Sequence, residues 1–202
     1  MLPLYKRFYG HLHTINSHRR AVMKHCFMVG IPWQGIKHDL SKYMPTEFIA
    51  GVMYFEGFRS PNERERETNG YSLAWIHHKG RNRHHFEYWT DYEPITKIMK
   101  PVVMPTRFVA EMFCDRVAAS KIYNKGKYTD DMPLEYFLKA KGRRIIHPET
   151  SDLIESLLRM LAEEGEAVTF EYVRNMVSED KALRRQQRRA ERQNRKDEAA
   201  DK

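Results

Sequence analysis

Between Leu4 and Val29 one set of side chains recurs at spacings of three and four: His11, Ile15, His18, Val22, His25 and Val29. That period marks a single face of an α-helix. Gly30 and Pro32 end the segment. Three histidines share the face with isoleucine and valine. A chain that buries this stripe must also provide partners for its imidazoles, because an unpaired buried polar group is costly. Taken singly, each histidine reads as a half-buried core residue bonded to a carbonyl. The rest of the chain decides whether the three mean more than that.

Helical patterning continues beyond the stripe. Pro32 can open a short helix that leads into His38–Asp39, then Ser41 and Lys42. A helix is expected from Pro45 to Phe58, with Glu47 in its first turn, where negative charge is favoured. Residues 59–70, RSPNERERETNG, read as a charged, solvated loop. A short helix over 71–79 ends at Gly80, and Pro94–Pro105 reads as a connector. The next strong helix spans Thr106–Asn124, with Thr106 as N-cap and Lys125–Gly126 as its stop. Its stripe of Phe108, Met112, Asp115, Ala119 and Ile122 contains a carboxylate. On a buried face that group needs a cation, through a salt bridge or a metal. Asp131–Lys141, Ser151–Glu164 (ending at Gly165) and Thr169–Val177 complete the helices. There is no clean strand alternation, no glycine-rich phosphate loop, no GxSxG and no internal repeat. The body reads as an all-α helical bundle.

Charge separates the body from the end of the chain. The net charge is +8 over 202 residues. Residues 181–202 carry nine Lys/Arg against four Asp/Glu, so about +3 is left for the other 180. We therefore expect one domain over 1–178 and a basic tail over 179–202, disordered or a solvated helix, since it has almost no apolar residue to bury. The tail could contact nucleic acid; the body gives no such signal. Cys26 and Cys114 form no CxxC pair, which fits a reducing, cytoplasmic setting. The opening MLPLYKRFYG lacks the long apolar run of a signal peptide, and no stretch is long and apolar enough to suggest a membrane partner.

The segment Trp75–Trp89, WIHHKGRNRHHFEYW, holds four of the ten histidines: His77, His78, His84 and His85. No packing requirement calls for two such doublets. Together with His18, His38–Asp39 and Asp115, the chain offers nitrogen and carboxylate donors from four separate helical regions. Facing helices of a bundle build metal sites from donors distributed in this way. Imidazole with carboxylate suits Mn, Fe, Co, Ni or Zn better than Ca or Mg. Trp75, Phe86, Tyr88 and Trp89 read as core aromatics. From the residues alone, the choices between His18 and His25, His77 and His78, and His84 and His85 stay open.

The order His18, His38–Asp39, Asp115 resembles the H…HD…D signature of the HD-domain superfamily of metal-dependent phosphohydrolases. HDLSKYMPTEF together with HHKGRNRHHFEYW is similar to a bacterial and phage family of unknown function with HDxSK and HxxxNxHHxExW motifs. The matching residues are His38, Asp39, Ser41 and Lys42, then His78, Asn82, His84, His85, Glu87 and Trp89. The resemblance covers roughly residues 10–125. It implies an HD-like helical bundle holding one or two divalent transition metals, with His18, His38, Asp39, His78, His85 and Asp115 as ligands. The implied activity is hydrolysis of a nucleotide or other small phosphate ester by metal-activated water. Lys42, Arg81, Asn82 and Arg83 would bind substrate, and Lys42, Glu87 and His84 would take part in the chemistry. A di-iron oxygenase on the same scaffold and a non-enzymatic nucleic-acid-associated protein are the competing expectations.

Overall fold

A computed structural model describes residues 2–124 and 126–200. Among the described residues, eight α-helices run in chain order: α1 Leu4–Met28, α2 Pro32–Lys37, α3 Pro45–Met53, α4 Pro61–Asn69, α5 Leu73–Lys79, α6 Thr106–Asn124, α7 Met132–Lys139 and α8 Pro148–Ala200. Short 3-10 turns cover Leu40–Tyr43 and Phe86–Tyr88. The architecture is mostly helical, as the patterning predicts. Lys125, half of the stop expected for α6, lies outside the described residues.

The stripe that opens the chain is buried in full: His11, Ile15, His18, Val22, His25 and Val29 all face inward. α1 packs along α6, and α6 along α8. Val22 and Cys26 meet Val109, Phe113 and Val117, and behind them stand Ile154, Leu157, Leu158 and Leu161. Each such leucine or phenylalanine contributes roughly 1.5–3 kcal/mol by leaving water. This apolar seam fixes α1 against α6, and the polar cluster is built beside it.

Three expectations are revised. Residues 61–69 are helical, not a loop. Pro61 occupies the first turn, and Gly70 ends the helix in the left-handed conformation at φ 81°. The proline and glycine thus mark the two ends of a helix. Its inward residue is Glu65, which accepts from Ser72 Oγ at 2.5 Å and from the Leu73 amide at 3.1 Å. Within the connector expected over 94–105, β2 (Met99–Pro101) pairs antiparallel with β1 (Thr90–Tyr92) in a small hairpin. The segment is too short and too exposed to show alternation. Finally, α3 stops at Met53, five residues before Phe58.

α8 is continuous apart from one non-helical residue, Gly165, at φ 78° and ψ 176°. The break falls where Ser151–Glu164 was expected to end. Beyond it the helix runs through the basic segment, whose side chains from 181 to 198 are exposed almost throughout. Lys181 Nζ reaches back to the Gly30 carbonyl. Among the described residues, no helix is long and apolar enough to cross a membrane.

Candidate metal centre

Asp39 lies at the middle of the buried polar cluster. It sits between α2 and the 3-10 turn in the left-handed region, at φ 53° and ψ 27°. Asparagine and aspartate tolerate this region better than other non-glycine residues. The side chain is 1% exposed. Its two oxygens face different histidines.

On the Oδ2 side are His18 Nε2 at 3.9 Å and His38 Nε2 at 3.5 Å. Asp115 Oδ1 closes this set, 2.9 Å from His18 Nε2 and 3.5 Å from His38 Nε2. On the Oδ1 side are His78 Nε2 at 3.3 Å and His84 Nε2 at 3.4 Å, with His85 completing the group. Lys42 Nζ bonds Asp39 Oδ2 at 2.9 Å from the more open side.

Two further carboxylates hold the rings, and the sequence did not single either of them out for this work. Glu111 Oε1, one turn before Asp115 on α6, accepts from His38 Nδ1 at 3.1 Å and lies 3.2 Å from His84 Nδ1. Gln34 donates to its other oxygen at 2.7 Å. Glu47 accepts from His77 Nδ1 at 2.6 Å and from His78 Nδ1 at 2.8 Å. Pinning Nδ1–H to an outer carboxylate leaves Nε2 as the inward nitrogen on His38, His78 and His84, which is how ligating histidines are oriented.

The electrostatics fit a bound cation. Burial disfavours the imidazolium of His38, yet Asp39, Asp115 and Glu111 push its pKa up to about 10. A proton on His38 thus balances carboxylates that an ion could balance instead. Asp115, against its burial, is held well below the usual carboxylate range by His18 and His38. Asp39, more deeply buried, is held there by His38 and Lys42. Glu111 is lowered to about 2 by its two histidines despite burial. Burial lowers His18, and burial with His84 and His78 beside it lowers His85 well below the ordinary value.

Asp39 Oδ1, His84 Nε2 and His85 Nε2 are buried with no hydrogen-bond partner. Unpaired buried polar atoms are rare without a reason. Here three of them converge on one point, and every one is a metal donor. The groups Asp39–His78–His84–His85, His18–His38–Asp39 and His38–His84–Asp115 each present ligand atoms close enough to share an ion. The buried cluster could therefore hold a metal, and its donor set matches transition metals.

The residues proposed from sequence fall in different places. His18, His38, Asp39, His78, His84, His85 and Asp115 come together. His25 does not: its Nδ1 lies 3.2 Å from the Cys114 carbonyl and its ring packs on Phe170. His77 sits behind His78 on Glu47. Asn82 braces the cluster from behind, donating to Ser41 Oγ and to the His78 carbonyl, each at 2.8 Å. Arg81 and Arg83 are exposed, the first bonded to the His77 carbonyl and the second lying over Tyr88. A cavity of about 720 Å³ opens from His18, Asp39, Lys42, His85 and Asp115, and Glu87 lines it too. Burial raises the pKa of Glu87, and its Oε2 has no partner. The basic residues that line the cavity beside Lys42 are Arg59, Arg66, Arg116, Lys139 and Arg144. Phe86 is buried and Trp75 and Trp89 half-buried, while Tyr88 stays at the surface.

Fold and site together define a helical protein with a buried histidine–carboxylate cluster able to hold metal. The chain belongs to the family of unknown function DUF5662, whose model matches residues 7–160. That span includes every residue of the cluster. No curated protein and no solved structure matches the chain.

Proposed function

We propose that the protein is a metal-dependent phosphohydrolase on an HD-like helical scaffold, acting on a small phosphate ester. The observation that carries this reading is the split of Asp39. One oxygen faces His18, His38 and Asp115, the other faces His78, His84 and His85, and both sets border one cavity. These residues would hold one or two divalent ions. Bound divalent metal would supply Lewis acidity and lower the pKa of a water toward neutrality.

The chain's own residues do the rest. Lys42 Nζ, bonded to Asp39, also lines the cavity, where its ammonium can hold a phosphoryl oxygen. Glu87, lining the same cavity with an unpartnered Oε2, would give the leaving oxygen a proton. Glu111 and Glu47 keep the histidine rings from rotating. The burial of Asp39, His38, His78 and His84 strengthens the interactions made at the cluster.

The test is a broad phosphoester panel assayed on purified full-length protein of known metal content, beside His38→Ala. Metal-dependent phosphate release that His38→Ala abolishes is the expected result. A metal-loaded protein that releases no phosphate from any ester would defeat the reading. Iron with an oxygen-dependent spectrum would point to oxidation instead.

A further inference from the structure

Three of the cavity arginines, Arg66, Arg116 and Arg144, form no ion pair among the described residues, and two of them meet at one ring. Arg116 follows Asp115 on α6, and its guanidinium carbon lies 5.3 Å from the centre of the Phe137 ring. Arg144 approaches the same ring at 4.6 Å. Phe137 itself is 1% exposed, so the ring is a fixed plate that both cations approach. Arg144 is held in place by the carbonyl of Phe137, to which Nη1 donates at 2.6 Å. Arg116 Nε is buried with no hydrogen-bond partner at all.

Among the described residues, no carboxylate lies within ion-pairing distance of either guanidinium. Glu87 and Asp115 act on Arg116, and Glu87 on Arg144, only across a longer distance and without an ion pair. Arg59 shows the contrast: it also borders the cavity, but Glu56 and Glu67 bind it at 2.6 and 2.5 Å. Two like charges that share one aromatic plate repel each other, and burial adds to the cost. An arrangement of this kind is stabilised by an anion that answers both. The planar donor fork of arginine matches the oxygens of a phosphate.

We propose that Arg116 and Arg144, seated on Phe137, form a second oxyanion subsite, and that the substrate carries a phosphate there in addition to the one presented to the metal cluster. The inference rests on the hydrolase reading for the second half of that statement only. The subsite itself stands on the arginine geometry. It narrows the substrate class to esters with two anionic groups, one at Lys42 and the metal donors and the other on the α6–α7 wall.

The experiment is calorimetric titration of the full-length protein, as purified with its metal, with inorganic phosphate. Arg116→Gln and Arg144→Gln run in parallel, with metal content and far-ultraviolet circular dichroism recorded for each. Wild type should take two phosphates. Each variant should lose about tenfold or more at one of them, keep the other, and keep its metal. Where Arg144→Gln does not fold, Arg144→Lys keeps the charge near the Phe137 carbonyl and should weaken the second phosphate several-fold.

Variants that bind both phosphates as wild type does would overturn the subsite. So would a wild type that binds none, or only one that the variants retain. A wild type that binds a single phosphate, lost in the variants, together with no ester cleavage, leaves the subsite standing and removes the hydrolase.

Discussion

His18 Nε2 on α1 stands 2.9 Å from Asp115 Oδ1 on α6, joining the first and sixth helices at the edge of their apolar seam. Val22 and Cys26 bury the next turns of α1 against α6. The contact therefore belongs both to the packing of the bundle and to the donor set. Removing either partner should disturb metal more than fold, because the apolar seam persists.

Metal content is the first consequence. His38→Ala and Asp115→Ala should each lower the affinity for transition metal by about tenfold or more, and Asp39→Asn by more than either, since it touches both donor groups. His25→Gln should leave metal unchanged, because that ring bonds a carbonyl elsewhere. Elemental analysis after dialysis against a weak chelator reads all four. Equal metal in wild type and Asp39→Asn would rule out the site.

Glu111→Gln tests the outer carboxylates. Glutamine keeps the shape and removes the charge that orients His38 and His84. We expect metal affinity to fall roughly 10–100-fold with the fold intact. Chelator competition gives the affinity and a thermal melt gives the stability. Glu47→Gln should act in the same direction through His78.

Acid should weaken the protein in part through His11, one of several histidines, with His18, His25 and His85, whose pKa burial lowers. Burial, with Lys42 nearby, lowers the pKa of His11 from 6.5 to about 4. The ring is neutral in the fold and charged in the unfolded chain between those values, so the unfolded state binds more protons there. The stability contribution is present above pH 6.5 and is lost as pH falls through 4. It amounts to roughly 3 kcal/mol in full. His11→Gln should flatten the fall between pH 7 and 4.5 in thermal melts. An unchanged slope would show that His11 is not the group responsible.

Gly51 should accept no side chain. A Cβ there would lie 2.0 Å from His11 Nε2, and the ring is wedged beside Phe48 and Phe55. Gly51→Ala should cost about 1–3 kcal/mol by overpacking. Pairing it with His11→Ala should recover most of that loss, a coupling that a double-mutant cycle measures.

The donors were readable from sequence because most broke a pattern. Asp115 interrupts an apolar stripe, and the doublets of Trp75–Trp89 have no packing purpose; His18 shares its stripe with His11 and His25, and only the H…HD…D resemblance set it apart from them. Glu111 broke nothing. It lies four residues before Asp115, at the spacing that puts both on one face, and that spacing was the signal available. Arg81 and Arg83 were favoured for their nearness in sequence to the histidines, but a tight turn directs both outward. Arg116 and Arg144 are brought to the cavity by α6 and by the connector after α7, and no local rule anticipates that meeting. The helix over 61–69 was hidden because its proline and glycine lie at its ends, where they look the same as loop punctuation.

The left-handed backbone at Asp39 restricts which amino acids can occupy that position. Glycine, asparagine and aspartate fit at little cost; branched and bulky residues do not. Of the three that fit, only aspartate offers two anionic oxygens. Steric and chemical demands thus select the same residue independently. A change to asparagine would satisfy the first and fail the second, so the two demands can be weighed apart by a single atom exchanged in the side chain.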